Sequence, residues 1–229
     1  GIRVNSDTQE TSVPGLFACG ECAGGMHGAN RLGGNSLSDL LVFGKLAGEG
    51  AGKYIKKIQG TPKLDAGQVN AIIRRATDIL NREGGTNPFL VQEDLQDVMQ
   101  KYVGIIRTAD ELKKGLEELK RLYQDAGKVK AHASPQYNPG WNAAIDLPNL
   151  LITSEAVTRA ALTREESRGG HTRADFYFES DEWLKYNVVI RKAKDGNMEV
   201  EKVKRDDPPE ELKKIACASL EELEGTKGG

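Results

Sequence analysis

The sequence predicts a mainly α-helical protein with a minor β component. Three observations carry that expectation. Apolar residues recur at helical spacing through most of residues 36–162. Cap residues and Gly or Pro breaks divide that stretch into separate helices. Near the end, two β-prone runs are joined by Asp195-Gly196, a hairpin signal.

The chain has 229 residues, 38% of them hydrophobic, with a net charge of −2. The 32 basic and 34 acidic residues are interspersed, which argues against a nucleic-acid partner. No apolar run is long enough for direct membrane insertion. Gly1-Ile2-Arg3-Val4 lacks the pattern of a signal peptide, and three cysteines suit a reducing compartment, so a cytoplasmic location is expected.

Ile2-Arg3-Val4 reads as a short strand, followed by a polar turn at Asn5-Ser6-Asp7-Thr8. Leu16-Phe17-Ala18-Cys19 reads as a buried strand ended by Gly20. Cys19-Gly20-Glu21-Cys22 has the spacing of a redox pair or half a zinc site. Cys217, His27, His132 and His171 show no spacing that would complete a zinc site, so no metal is expected.

The most informative stretch is His27-Gly28-Ala29-Asn30-Arg31-Leu32-Gly33-Gly34-Asn35-Ser36-Leu37. A helix is expected over residues 36–58, with Ser36 as N-cap and Asp39 as a helix-start acid. Its N-terminal amides and positive dipole end would point into the glycine loop and favour an anion. Arg31 adds a guanidinium fork matched to a carboxylate or phosphate. Gly44, Gly48 and Gly52 fall on one stripe of this helix and predict close packing there.

Helical periods continue over residues 64–82 and from Pro88 to Tyr102. Thr108-Ala109-Asp110-Glu111 is a capping box for a helix whose apolar line is Leu112, Leu116, Leu119 and Tyr123, with Gly127 as the stop. The last long helix begins near Trp141 or Leu147 and runs to Leu162; Pro148 either divides it or sits in its first turn. Together these helices predict an antiparallel bundle. Beyond the hairpin, Pro208-Pro209-Glu210-Glu211-Leu212 opens a short charged helix, and residues 225–229 read as disordered.

Two motifs carry a family resemblance. Gly15-Leu16-Phe17-Ala18-Cys19-Gly20-Glu21 followed by the 27–37 stretch is one. Arg164-Glu165-Glu166-Ser167-Arg168-Gly169-Gly170-His171-Thr172-Arg173-Ala174-Asp175 is the other, and it resembles a Glu-Ser-Arg-Gly-Ala-His signature. In that order they resemble the flavoprotein subunit of succinate dehydrogenase and fumarate reductase, over roughly residues 1–190. The wider group includes L-aspartate oxidase.

The resemblance implies a C-terminal remnant of a flavin-binding α/β domain over residues 1–60. A helical bundle at 61–163 and an extension with the hairpin at 164–229 would follow. It implies FAD as cofactor and interconversion of succinate and fumarate, by hydride transfer to or from flavin N5. Arg31 and His27 would bind the dicarboxylate substrate. Glu21, Asn35, Ser36 and Leu37 would contact the cofactor, Glu21 at the ribityl hydroxyls and Ser36-Leu37 at the flavin's pyrimidine edge. The family's Rossmann half, capping domain and catalytic arginine lie upstream of these motifs. We therefore expect a C-terminal fragment, with no catalytic residue of its own, little FAD binding and no activity alone.

The implied partner is an iron–sulfur protein subunit, holding the protein peripherally at the inner face of a membrane. Two alternatives stand beside this reading: an L-aspartate oxidase-type flavoenzyme, or a helical module that mainly docks other subunits. For residues 164–175 the preferred reading is an ion-pair network closing the bundle onto the flavin domain. A border of the active site formed by His171 and Arg173 is the other.

Overall fold

The computed structural model describes residues 1–219 and Glu222. The expected disorder of residues 225–229 lies outside the described residues. In chain order, β1 (Ile2–Arg3) precedes a 3-10 turn at Gly20–Cys22 and β2 (Ala23–Gly24). Five long helices follow: α1 (Asn35–Lys57), α2 (Ala66–Asn81), α3 (Pro88–Val103), α4 (Ala109–Ala126) and α5 (Pro139–Thr163). β3 (Ile106–Arg107) lies between α3 and α4, and β4 (Thr172–Arg173) follows α5. The end holds β5 (Tyr186–Lys192), β6 (Met198–Lys204) and α6 (Glu210–Cys217). The class is mainly α with small β elements, as the sequence predicts.

The helix starts follow from local chemistry. Asp65 accepts from the amides of Gly67 and Gln68 at the head of α2, Asn87 from Phe89 at α3, and Asn138 from Trp141 at α5. Thr108 Oγ1 accepts from the Glu111 amide at 3.3 Å and donates to the Glu111 carboxylate at 2.9 Å. Pro88 and Pro139 sit in the first turns of α3 and α5, where no amide is missed.

The main core lies between α3, α4 and α5. Val91, Leu95, Val98, Leu119, Leu122, Leu147 and Leu151 fill it. α2 contributes Ile79 from its C-terminal end, while Ile72 and Ile73 stay exposed, so the expected apolar stripe is only partly used. α5 is one helix from Pro139, with Pro148 inside it, which settles the two open readings of its start. Among the described residues no helix is long and apolar enough to cross a membrane.

β5 and β6 form the predicted hairpin, with Tyr186 opposite Lys204 and Lys192 opposite Met198. Its turn has Gly196 at φ +89°, a value that favours glycine. β1 pairs in parallel with β2, and β3 with β4.

Three expectations fail. Leu16-Phe17-Ala18-Cys19 forms no strand: it makes one antiparallel bridge, Glu10 to Phe17, and Leu16 is exposed. A strand needs neighbours along its length, and here only the Glu10 segment reaches it. Ser36 is not an N-cap. α1 starts at Asn35 with Gly34 as cap at φ +82°, and among the described residues no side chain caps it. On the stripe of Gly44, Gly48 and Gly52 an added Cβ would meet nothing within 4 Å among the described residues. The close approach is one face away, where a Cβ on Gly50 would strike the Thr8 carbonyl oxygen and lie 3.0 Å from the Phe17 ring. Buried Ala47 and Gly50 thus seat α1 on the N-terminal turns.

Candidate functional site

The loop before α1 is built for openness. Gly28 and Gly34 have φ +60° and +82°, and at Gly28, Gly33 and Gly34 a Cβ would meet nothing within 4 Å. Arg31 is exposed, four residues ahead of Asn35, and forms no ion pair among the described residues. Its backbone amide donates to Asn30 Oδ1 at 2.9 Å, which shapes the turn. At the helix mouth the Asn35 amide donates to Leu32 O at 3.3 Å and the Leu37 amide to Gly34 O at 3.2 Å. The Ser36 amide has no such partner among the described residues.

His27 is not free to swing. Its Nε2 lies 3.1 Å from Asp39 Oδ2, and a carboxylate oxygen there makes the ring N–H the donor. Asp39 is buried, and its Oδ1 has no hydrogen-bond partner among the described residues. Its role is therefore to anchor the loop. Nothing local in the chain signals this, because an acid in a first turn looks like a dipole partner. Glu21 is exposed on the Gly20–Cys22 turn, which packs on α1. A Cβ on Gly20 would lie 2.5 Å from the Leu40 side chain. Cys19 and Cys22 are both free thiols, and Cys22 Sγ donates to Cys19 O at 3.3 Å.

The 164–175 motif is a staple. The Glu166 side chain is wholly buried and pairs with Arg164 and, at 3.2 Å, with Arg168. It also accepts from the Ser180 amide at 2.9 Å. Burial pushes the Glu166 carboxyl up, but Ser180, Arg168 and Arg164 outweigh it and hold it below the ordinary range.

Arg173 is 1% exposed. It binds Asp175 with two bonds of 2.8 Å and donates to the Ala161 and Leu162 carbonyls at the C-terminal end of α5. Asp175 accepts from the Ala109 amide at the start of α4, at 2.8 Å. The motif thereby ties the head of α4 to the tail of α5.

His171 sits among three arginines. Arg107 donates to its Nδ1 at 2.9 Å, since a guanidinium can only donate, so Nε2 carries the proton and donates to Arg164 O at 3.1 Å. Burial lowers its pKa. The Arg164 carbonyl opposes that, while the charges of Arg107, Arg173 and Arg164 lower it further, so the ring is neutral at pH 7. Arg107 was not singled out from the sequence; nothing local distinguishes it.

The two motifs touch. The Gly170 amide donates to the Ala29 carbonyl at 3.2 Å, two residues before Arg31. An open arginine–glycine loop at a helix mouth is thus backed by a helical bundle.

Comparison with known proteins gives the family. The family described as "Fumarate reductase flavoprotein C-term" matches residues 92–216, and "FAD binding domain" matches residues 1–37. An FAD-dependent oxidoreductase of Methanocaldococcus jannaschii is 39% identical over 85% of this chain and 34% of its own length. The fumarate reductase flavoprotein subunit of Escherichia coli is 35% identical over 88% of this chain and 34% of its own. The Sdh1 complex of Mycobacterium smegmatis superposes with a TM-score of 0.89 at 40% identity, covering 98% of this chain and 38% of that one. The chain belongs to the succinate dehydrogenase/fumarate reductase flavoprotein family. It spans about a third of the length of the curated relatives it matches.

Proposed function

We propose that this chain supplies the dicarboxylate clamp and the flavin-facing helix of an FAD-dependent enzyme that interconverts succinate and fumarate. One observation carries the reading: Arg31 is exposed and without an ion-pair partner among the described residues, beside a helix mouth whose Ser36 amide is unpartnered. The residues fit FAD. Gly33 and Gly34 leave open space, and the mouth of α1 favours the electron-rich edge of a ligand.

When bound, FAD supplies the hydride acceptor or donor. Arg31 grips one substrate carboxylate and fixes its orientation. His27, held through Nε2 by Asp39, stands beside Arg31 as the second proposed substrate residue. The Ser36 amide and the start of α1 hold negative charge at the ring. Asn35 and Leu37 line that mouth, and Glu21 accepts from the ribityl hydroxyls. The relatives' names favour this reading over an L-aspartate oxidase.

The proposed partner is an iron–sulfur protein subunit, which would hold the protein peripherally at the inner face of a membrane. Support comes from the relatives' names, which call them subunits. The test is Arg31→Lys in the full-length protein. Turnover should fall by about a hundredfold while bound flavin stays near normal, since a point charge loses the two-pronged grip. A fully active variant refutes the role.

A further inference from the structure

The loop that carries Arg31 has little to hold it. Gly28 and Gly34 are in the left-handed region, and a Cβ on Gly28, Gly33 or Gly34 would meet open space. Two contacts hold the segment from its ends. His27 is bound by Asp39, and the Ala29 carbonyl is bound by the Gly170 amide.

The second contact is unusually tight. A Cβ on Gly169 would lie 2.5 Å from the Ala29 carbonyl carbon and closer still to its oxygen. Gly169 also has φ +57°, in the left-handed region. The surface behind it does not give. The turn is closed by Arg168 N–H to His171 O at 2.8 Å and His171 N–H to Arg168 O at 3.0 Å. His171 is bonded by Arg107 and Arg164, and Arg168 by buried Glu166.

From this we infer that Gly169 and Asp39 are positioning residues for the substrate clamp: the turn at Gly169 is a fixed seat, and Asp39 a latch, that together set where Arg31 stands. The inference rests on the reading of Arg31 as the carboxylate clamp. A side chain at Gly169 pushes the Ala29 peptide away from the seat, and Arg31 is two residues further along. A misplacement on the order of 1 Å in a substrate-orienting group costs up to about a hundredfold in rate. The bundle thereby acts on the chemistry without touching substrate.

The test is made in the full-length flavoprotein with its partner subunits. Gly169→Ala should lower kcat/KM for the dicarboxylate by about tenfold to a hundredfold, through KM, with bound flavin unchanged. In an Arg31→Lys background the same change should cost less than about threefold, because there is no longer a precise grip to misalign. Asp39→Asn reads the loop from its other end, should Gly169→Ala fail to fold. It too should raise KM, and lose that effect in the Arg31→Lys background. If Arg31→Lys alone is harmless, the functional reading fails. If Arg31→Lys is crippling but the Gly169→Ala and Asp39→Asn penalties persist undiminished beside it, or track flavin loss, the positioning role fails by itself.

Discussion

Replacing Glu166 should be the most damaging single change in the motif. Its side chain is wholly buried, while those of Arg164 and Arg168 are 20% and 16% exposed. Glu166→Ala leaves two guanidinium groups facing each other with little water, and strips the Ser180 amide of its acceptor at 2.9 Å. Breaking a buried pair from one side costs about 3–5 kcal/mol, and an orphaned buried amide about 1–3 kcal/mol; the two overlap. We expect a loss on the order of 4 kcal/mol, which lowers the thermal midpoint on the order of 10 °C. Glu179→Ala is the internal control. That carboxylate also meets Arg168, at 3.1 Å, but is 65% exposed, and its loss should cost under about 1 kcal/mol. Urea unfolding followed by far-UV circular dichroism measures both. A Glu166→Ala protein within about 1 kcal/mol of the parent, or a Glu179→Ala protein equally destabilised, would refute the staple argument.

Asp175 gives a pH signature. Two bonds from Arg173, opposed by desolvation and aided by the Ala109 amide, lower its pKa from 3.8 to about 2. A depressed carboxylate stabilises the fold above its unfolded value, and that contribution disappears as pH falls from 3.8 through about 2. Asp175→Asn should therefore flatten the loss of stability across that acid window, and an unchanged profile would contradict the assignment. On α1, Gly50→Val should destabilise the N-terminal turns through its collision with Thr8. Gly48→Ala, facing open space, should stabilise the helix by about 0.5–1 kcal/mol. Thermal melts showing the reverse order would disprove the packing described for that helix.

The sequence alone determined that the helices are there and where α4 starts, but not the starts of α1 and α5. Asp65, Asn87, Thr108 and Asn138 each bond an amide two or three residues ahead, so the signal and its target lie in one short window. The Asp195-Gly196 turn is equally local, and the two motifs carried the family. Tertiary structure decided which faces are used. Gly48 and Gly50 read alike in the chain, yet one meets open space and the other the Thr8 backbone. It also decided that Asp39 latches His27 instead of serving the helix dipole, and that Arg173 closes the end of α5. The meeting of Ala29 with Gly170 belongs here as well, because it depends on where the bundle brings a distant turn. Periodicity and capping act over about one helical turn, whereas contacts between remote segments exist only once the whole chain has closed.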